Sequence, residues 1–254
     1  MNFFNPKAVA ERYADGRPFF HPLIIQRAKE FLSLKKLLPS ALDIGCGTGL
    51  STVALKTIAE TVVGIDASRE MIALARKDAD IKYFVSTAEN LPFGANEFDL
   101  ITMSQVVHWL EREKFFSEAR RVLKEKGWII IYDNYFSGQM PTNPEFHILY
   151  KETYLKKYPT PPRAWASFTA EETEREGFRL LKHEWIENTI IFSLAELTSF
   201  LLTLTNVIAA VKGGKENIEN VKLWLAENFK PLFQDSTEHK FLFNAPVWFL
   251  QRVN

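Results

Sequence analysis

The segment Asp43-Ile44-Gly45-Cys46-Gly47-Thr48-Gly49 sets glycines at alternate positions behind a carboxylate. Glycine has no Cβ, so such a turn bends sharply and lets a ligand approach the backbone. Its spacing is G-x-G-x-G, not the G-x-G-x-x-G of dinucleotide sites. A phosphate cradle has little use for an acid two residues before the first glycine, whereas a ligand carrying an ammonium group has a clear one. Roughly 20 residues further on, Asp66 closes the β-branched run Thr61-Val62-Val63-Gly64-Ile65, where a carboxylate can accept hydrogen bonds from ribose hydroxyls. A third piece, Ser86-Thr87-Ala88-Glu89-Asn90-Leu91-Pro92-Phe93, offers backbone groups to the edge of a heteroaromatic base and apolar side chains to its faces. Each piece has a plainer reading, as a tight connection, a helix cap or loop packing. Their order along the chain favours one nucleoside-bearing ligand.

Other residues with usable chemistry are fewer. His108 follows the fourth predicted strand and is the candidate general base; it serves equally well as a hydrogen-bonding part of the fold. Trp109, Tyr135 and Trp165 are candidates to line an acceptor pocket, and Arg17 or Arg163 to pair with an acceptor carboxylate. His21, His147, His183 and His239 are scattered without metal-ligand spacing, so no metal is expected. Cys46 is the only cysteine, which rules out an intramolecular disulfide and fits a reducing compartment.

These residues need elements to hold them. Ala41–Ile44, Thr61–Ile65, Ile81–Val85, Phe98–Met103 and Trp128–Tyr132 read as strands. Leu50–Ile58, a stretch capped by Ser68, and Arg112–Lys124 ending at Gly127 read as helices. Strands alternating with helices imply a parallel sheet covered on both faces, with ligands at the carboxyl ends of its strands. Asp43, Asp66, Ser104 and Asp133 fall at those ends. From Gln139 to about Ala170, prolines interrupt short helical pieces rich in Tyr and Phe, as in an inserted cap. Phe178–Phe192 reads as a strand, Ser193–Val211 and Asn217–Phe229 as helices, and Lys240–Val253 as a last strand.

The chain of 254 residues is 46% hydrophobic and 24% charged, in the range of globular proteins. Lys and Arg together equal Asp and Glu at 31 each, so no electrostatic case arises for a nucleic-acid partner. Met1–Arg12 has no apolar stretch of secretory length, and no run reaches the roughly 18 apolar residues of a membrane span. A cytoplasmic protein with neither nucleic acid nor membrane as partner is the expectation, with monomer and homodimer both open.

With these residues in view, the sequence resembles the class I S-adenosylmethionine (SAM)-dependent methyltransferases over about Leu38–Asn134. It carries their D-x-G-C-G-T-G and L-P-F motifs. The resemblance implies a doubly wound, mostly parallel seven-stranded sheet, the Rossmann-like methyltransferase fold, with an inserted helical cap. It implies one domain over 1–254: a helical N-terminal segment at about 1–37, a SAM-binding core at 38–136, and cap segments at 139–170 and 193–230. SAM is the implied cofactor, S-adenosylhomocysteine (SAH) the product. Asp43, Gly45 and Gly47 would line its methionine and sugar side, Asp66 its ribose, Ala67, Thr87, Ala88 and Glu89 its adenine, Ser104 and Gln105 its methionyl part. Thr87 stands where the family commonly has Asp, so one uncharged hydrogen bond replaces a charged one. A narrower likeness, to the trans-aconitate methyltransferase-like group, rests on Tyr13–Pro18, Gln105–Trp109 and Thr203–Asn206. That group methylates small molecules, carboxylic acids among them, and would use Tyr13 and Arg17 in an N-terminal segment closing over SAM. A member of the fold that binds SAM or a protein partner without catalysis is the alternative.

Overall fold

The computed structural model describes residues 6–78, 80–162, 167–233 and 237–253. In chain order the elements are α1 (Lys7–Gly16), α2 (His21–Phe31), β1 (Leu38–Ile44), α3 (Leu50–Leu55), β2 (Ala59–Asp66), α4 (Arg69–Ala73), β3 (Ile81–Val85) and β4 (Phe98–Ser104). A 3-10 turn (Val107–Trp109), α5 (Arg112–Val122), β5 (Leu123–Tyr132) and β6 (Tyr135–Gln139) follow. Then come α6 (Glu145–Leu149), a π turn (Tyr150–Tyr154), α7 (Leu155–Lys157), α8 (Ala170–Arg175) and β7 (Phe178–Ser193). The chain closes with α9 (Leu194–Leu201), α10 (Thr205–Lys212), α11 (Ile218–Phe233) and β8 (Glu238–Arg252). Contacts group these into two units, and β7 and β8 contribute residues to each.

Among the described residues the larger unit comprises 19–78, 80–134, 167–186 and 245–253. Its strands run β3-β2-β1-β4-β5 in parallel, and β8 joins β5 antiparallel through Trp128↔Gln251 to Tyr132↔Val247. This is the expected mainly parallel, α/β arrangement. The central strand β1 is buried from Ala41 to Ile44, as a strand covered on both faces must be. Leu42, Ile44, Ile101 and Met103 pack with Phe115, Phe116 and Ala119 of α5 in the core of one face. Ser68 caps α4 as predicted, its hydroxyl accepting from Met71 N–H. Gly127 does not end a helix. α5 stops at Val122, and Gly127 lies buried within β5, where an added Cβ would approach the carbonyls of Lys124 and Asp99. The periodic apolar residues Val122 and Leu123 hid the transition, because a buried strand and a buried helix end look alike over two residues.

Among the described residues the smaller unit comprises 6–18, 135–162, 187–233 and 237–244. β6, an eighth strand among the described residues, pairs antiparallel with β8 at Tyr135↔Asn244 and Phe136↔Phe243. Its core combines residues from the segments read as a cap, Phe146, Tyr154, Phe200 and Phe229, with Phe241 and Phe243 of β8, all buried. The stretch expected as one helix over Ser193–Val211 is two, α9 and α10, broken after Leu201. The first begins at a reciprocal cap between Ser193 and Glu196. Asn206 of the narrower motif is buried here, donating to Tyr158 O at 2.9 Å. No single helix among the described residues is long and apolar enough to cross a membrane.

Candidate functional site

At the carboxyl end of β1 the chain leaves the sheet through three left-handed residues, Gly45 (φ 68°), Gly47 (φ 55°) and Gly49 (φ 82°). Only glycine holds that conformation without strain. Gly45 and Gly47 keep partial exposure while Cys46 and Thr48 between them are buried, so the turn presents backbone on its open side. At Gly45 the missing side chain also has an internal reason: an added Cβ would overlap Val106. The Cys46 thiol is buried, and burial pushes its pKa up, which keeps it protonated and suits packing.

Asp43 lies beneath the turn, away from its open side. Its carboxylate is fully buried, with Oδ2 accepting from Ser51 Oγ at 2.6 Å and Thr52 Oγ1 at 2.7 Å, and Oδ1 from Thr102 Oγ1 at 3.1 Å. The cause is strand alternation. Leu42 and Ile44 face α5, so the residue between them points to the opposite face. Burial pushes Asp43 up to about 6 in spite of the three hydroxyls. The acid expected to meet an ammonium group instead ties β1 to β4 and to the first turn of α3. The sequence signal was Ser51-Thr52, two adjacent hydroxyls at the start of a helix.

Asp66 is the carboxylate at the rim. It ends β2, stays partly exposed, and accepts from Gly47 N–H at 2.9 Å through Oδ2 and from Ser68 N–H at 2.8 Å through Oδ1. It thereby joins the glycine turn to the start of α4. Burial raises its pKa, and the two backbone donors oppose that rise. Each oxygen retains a lone pair for a further donor. Ala67 beside it is exposed.

The loop after β3 lies next in the sheet. Ser86 N–H donates to Asp66 O at 3.0 Å. Thr87 is exposed, Ala88 is buried in the core of the α5 face, and Glu89 turns its carboxylate to Glu111 N–H at 3.0 Å. On the other side of β1, Ser104 ends β4 opposite Tyr132 of β5. Gln105 adopts φ 58°, donates its N–H to Tyr132 O and its Nε2 to Asn134 O, each at 3.0 Å. The 3-10 turn then carries His108, partly exposed, and Trp109, 43% exposed, with ring centroids 4.9 Å apart.

Twelve of the predicted residues therefore belong to one unit: Asp43, Gly45, Gly47, Asp66, Ala67, Thr87, Ala88, Glu89, Ser104, Gln105, His108 and Trp109. Tyr13, Arg17 and Tyr135 belong to the smaller unit, where the Arg17 guanidinium sits over the rings of Tyr13 at 4.7 Å and Phe200 at 5.6 Å. Trp165 and Arg163 lie outside the described residues.

A glycine turn, a rim aspartate on the next strand and a loop after the third thus all lie at the carboxyl edge of a parallel sheet. Over residues 42–131 the chain matches the family model of the methyltransferase domain. The chain has the Rossmann-like fold of class I SAM-dependent methyltransferases: a candidate type II methyltransferase from Anaeromyxobacter dehalogenans superposes with TM-score 0.68 at 18% identity, covering 93% of this chain and 97% of that one. Phosphoethanolamine N-methyltransferase 2 of Haemonchus contortus, solved with phosphomonomethylethanolamine and SAH, superposes with TM-score 0.56 at 21% identity. That match covers 99% of this chain and 59% of that one. In sequence, a candidate methyltransferase of Dictyostelium discoideum is 24% identical over 234 residues, 90% of this chain and 88% of that protein. Against several other curated relatives the chain spans about half of their length, 44% to 58%.

The partly exposed backbone at Gly45 and Gly47 adjoins the Asp66 carboxylate, which can accept from hydroxyl donors and would repel a pyrophosphate. Among the described residues no group of three or more His, Cys, Asp or Glu is arranged to hold a metal ion.

Proposed function

We propose that the chain binds SAM at this edge and transfers its methyl group to a small-molecule acceptor, with carboxylic acids the first class to test. The observation that carries the reading is Asp66: a partly exposed carboxylate, fixed by the N–H groups of Gly47 and Ser68, next to a left-handed glycine turn. In this reading Asp66 accepts the ribose hydroxyls, Gly45 and Gly47 lie along the sugar and methionine, and Ala67, Thr87, Ala88 and Glu89 surround the adenine. Ser104 and Gln105 meet the methionyl part. Asp43 acts through the turn that it braces.

SAM supplies an electrophilic methyl group, so the protein's work is alignment at about 3–3.5 Å and exclusion of water. A carboxylate acceptor attacks without losing a proton. A phenol, hydroxyl or protonated amine must lose one, and His108 at the end of β4 is the candidate to take it. Trp109 offers an apolar wall on the same turn. Tyr13, Arg17, Tyr135 and Trp165 enter the same test by substitution.

Transfer of radiolabel from methyl-labelled SAM to a panel of small carboxylic acids, phenols and amines tests the proposal. Label in a carboxylic acid, retained in His108→Ala, supports a carboxylate acceptor. Label in phenols or amines alone replaces that acceptor class. SAM binding with no transfer to any member gives the non-catalytic alternative.

A further inference from the structure

The loop assigned to adenine is fastened to both ends of α5. Glu89 Oε1 accepts from Glu111 N–H, the N-cap of α5, at 3.0 Å. Leu91 N–H donates to Glu118 Oε2 at 2.7 Å, and Arg121 donates Nη2 to Leu91 O at 2.9 Å and Nη1 to Phe93 O. Past the loop, Asn96 and Glu97 N–H reach Arg121 O at 3.0 Å and Val122 O at 2.8 Å. Leu91 is thus held through both its N–H and its C=O. Pro92 brings no N–H of its own, so this stretch depends on side chains from α5 for its pairing.

Glu118 and Arg121 are joined by two bonds, Nε to Oε1 at 2.8 Å and Nη2 to Oε2 at 2.7 Å, with side chains 19% and 38% exposed. An exposed pair three residues apart on a helix normally contributes little. This one differs in where its remaining valences go. The guanidinium fork bonds a carboxylate and two carbonyls at once, which a lysine ammonium cannot reproduce in the same geometry.

We propose that Glu118 and Arg121 are positioning residues for the adenine loop: they set the backbone of 87–93 and through it the affinity for adenosyl ligands. The inference rests on the SAM reading above. Neither residue need touch the ligand, since both act through the backbone of Leu91 and Phe93.

Three variants test it: Arg121→Ala, Arg121→Lys and the exchanged double Glu118→Arg/Arg121→Glu. Three readouts apply to each: amide hydrogen exchange over 87–93 in ligand-free protein, calorimetric binding of SAH and of methylthioadenosine, and the unfolding midpoint. Arg121→Ala should speed exchange at Leu91 and weaken both ligands by about tenfold, the scale of one lost charge-assisted bond. Arg121→Lys should fall between it and wild type. The exchanged double should regain the unfolding midpoint without regaining affinity, because position 118 then no longer accepts from Leu91. Should Arg121→Ala fail to fold, the other two variants decide. Wild-type exchange and affinity in the variants, with SAH bound normally by the wild type, overturn the positioning role. If the wild type binds neither ligand, the SAM reading falls and the affinity claim with it, while exchange still shows whether the pair holds the loop.

Discussion

The ends of β1 and β2 each carry an aspartate, and the two do opposite things. Asp43 at the end of β1 is sealed beneath α3 with three hydroxyls; Asp66 at the end of β2 stays at the rim and takes two backbone N–H groups. One carboxylate is a strut inside the protein, the other a surface that a ligand can reach. What separates them is position: β1 is central and buried on both faces over its last four residues, while Asp66 closes its strand where the chain turns away. An acidic residue at a strand end therefore reads as ligand-binding only once its face is known.

The comparison can be broken first at Asp43. Asp43→Ala removes the partner of Ser51, Thr52 and Thr102 in a buried place. Chemical denaturation at pH 5, where the wild-type side chain is largely protonated, should show a loss of about 2–4 kcal/mol, against less than about 1 kcal/mol for Asp66→Ala. Equal losses would erase the distinction between strut and rim.

The next effect is a pH dependence. Asp43 titrates at about 6 in the folded protein, against an ordinary value of 3.8. The folded state therefore holds the proton more tightly, so its contribution to stability is greatest below about pH 4 and falls as pH rises towards about 6. Each tenfold gain in proton affinity is worth roughly 1.4 kcal/mol, so the fall is about 3 kcal/mol. Asp43→Asn should flatten it, as read from denaturation midpoints between pH 4 and 7. A slope that persists in the variant would assign the titration to another group.

Gly45 gives the smallest effect and sharpens the picture of the turn. Gly45→Ala combines a left-handed backbone with overlap against Val106 and should cost about 1–3 kcal/mol. Adding Val106→Ala should recover the overlap but not the backbone strain, so the double variant should lie between the single variant and wild type. Full recovery would show that backbone conformation contributes nothing.

Most of the parallel sheet was legible because its signals are local. Val62-Val63-Gly64-Ile65 ending in Asp66, and Ser68 as a cap, each declare themselves within a few residues. The Asp43 network was not, because Thr102 reaches it from a strand far along the chain and nothing in either segment announces the pairing. The Glu118–Arg121 pair was hidden for a different reason. On a helix an acid and a base three apart read as a solvated face, and only the structure shows their bonds to Leu91 and Phe93. Of the smaller unit, composition marked only the aromatic segments, and Phe146 and Tyr154 among them are buried in its core.

Calorimetric titration with SAH, run on the wild type, Asp66→Ala and Asp43→Asn, tests the division between rim and strut most directly. The expected result is micromolar binding by the wild type, a loss of about 100-fold in Asp66→Ala, the scale of charged hydrogen bonds to two hydroxyls, and a much smaller change in Asp43→Asn. No binding by the wild type, or wild-type affinity in Asp66→Ala, would contradict it.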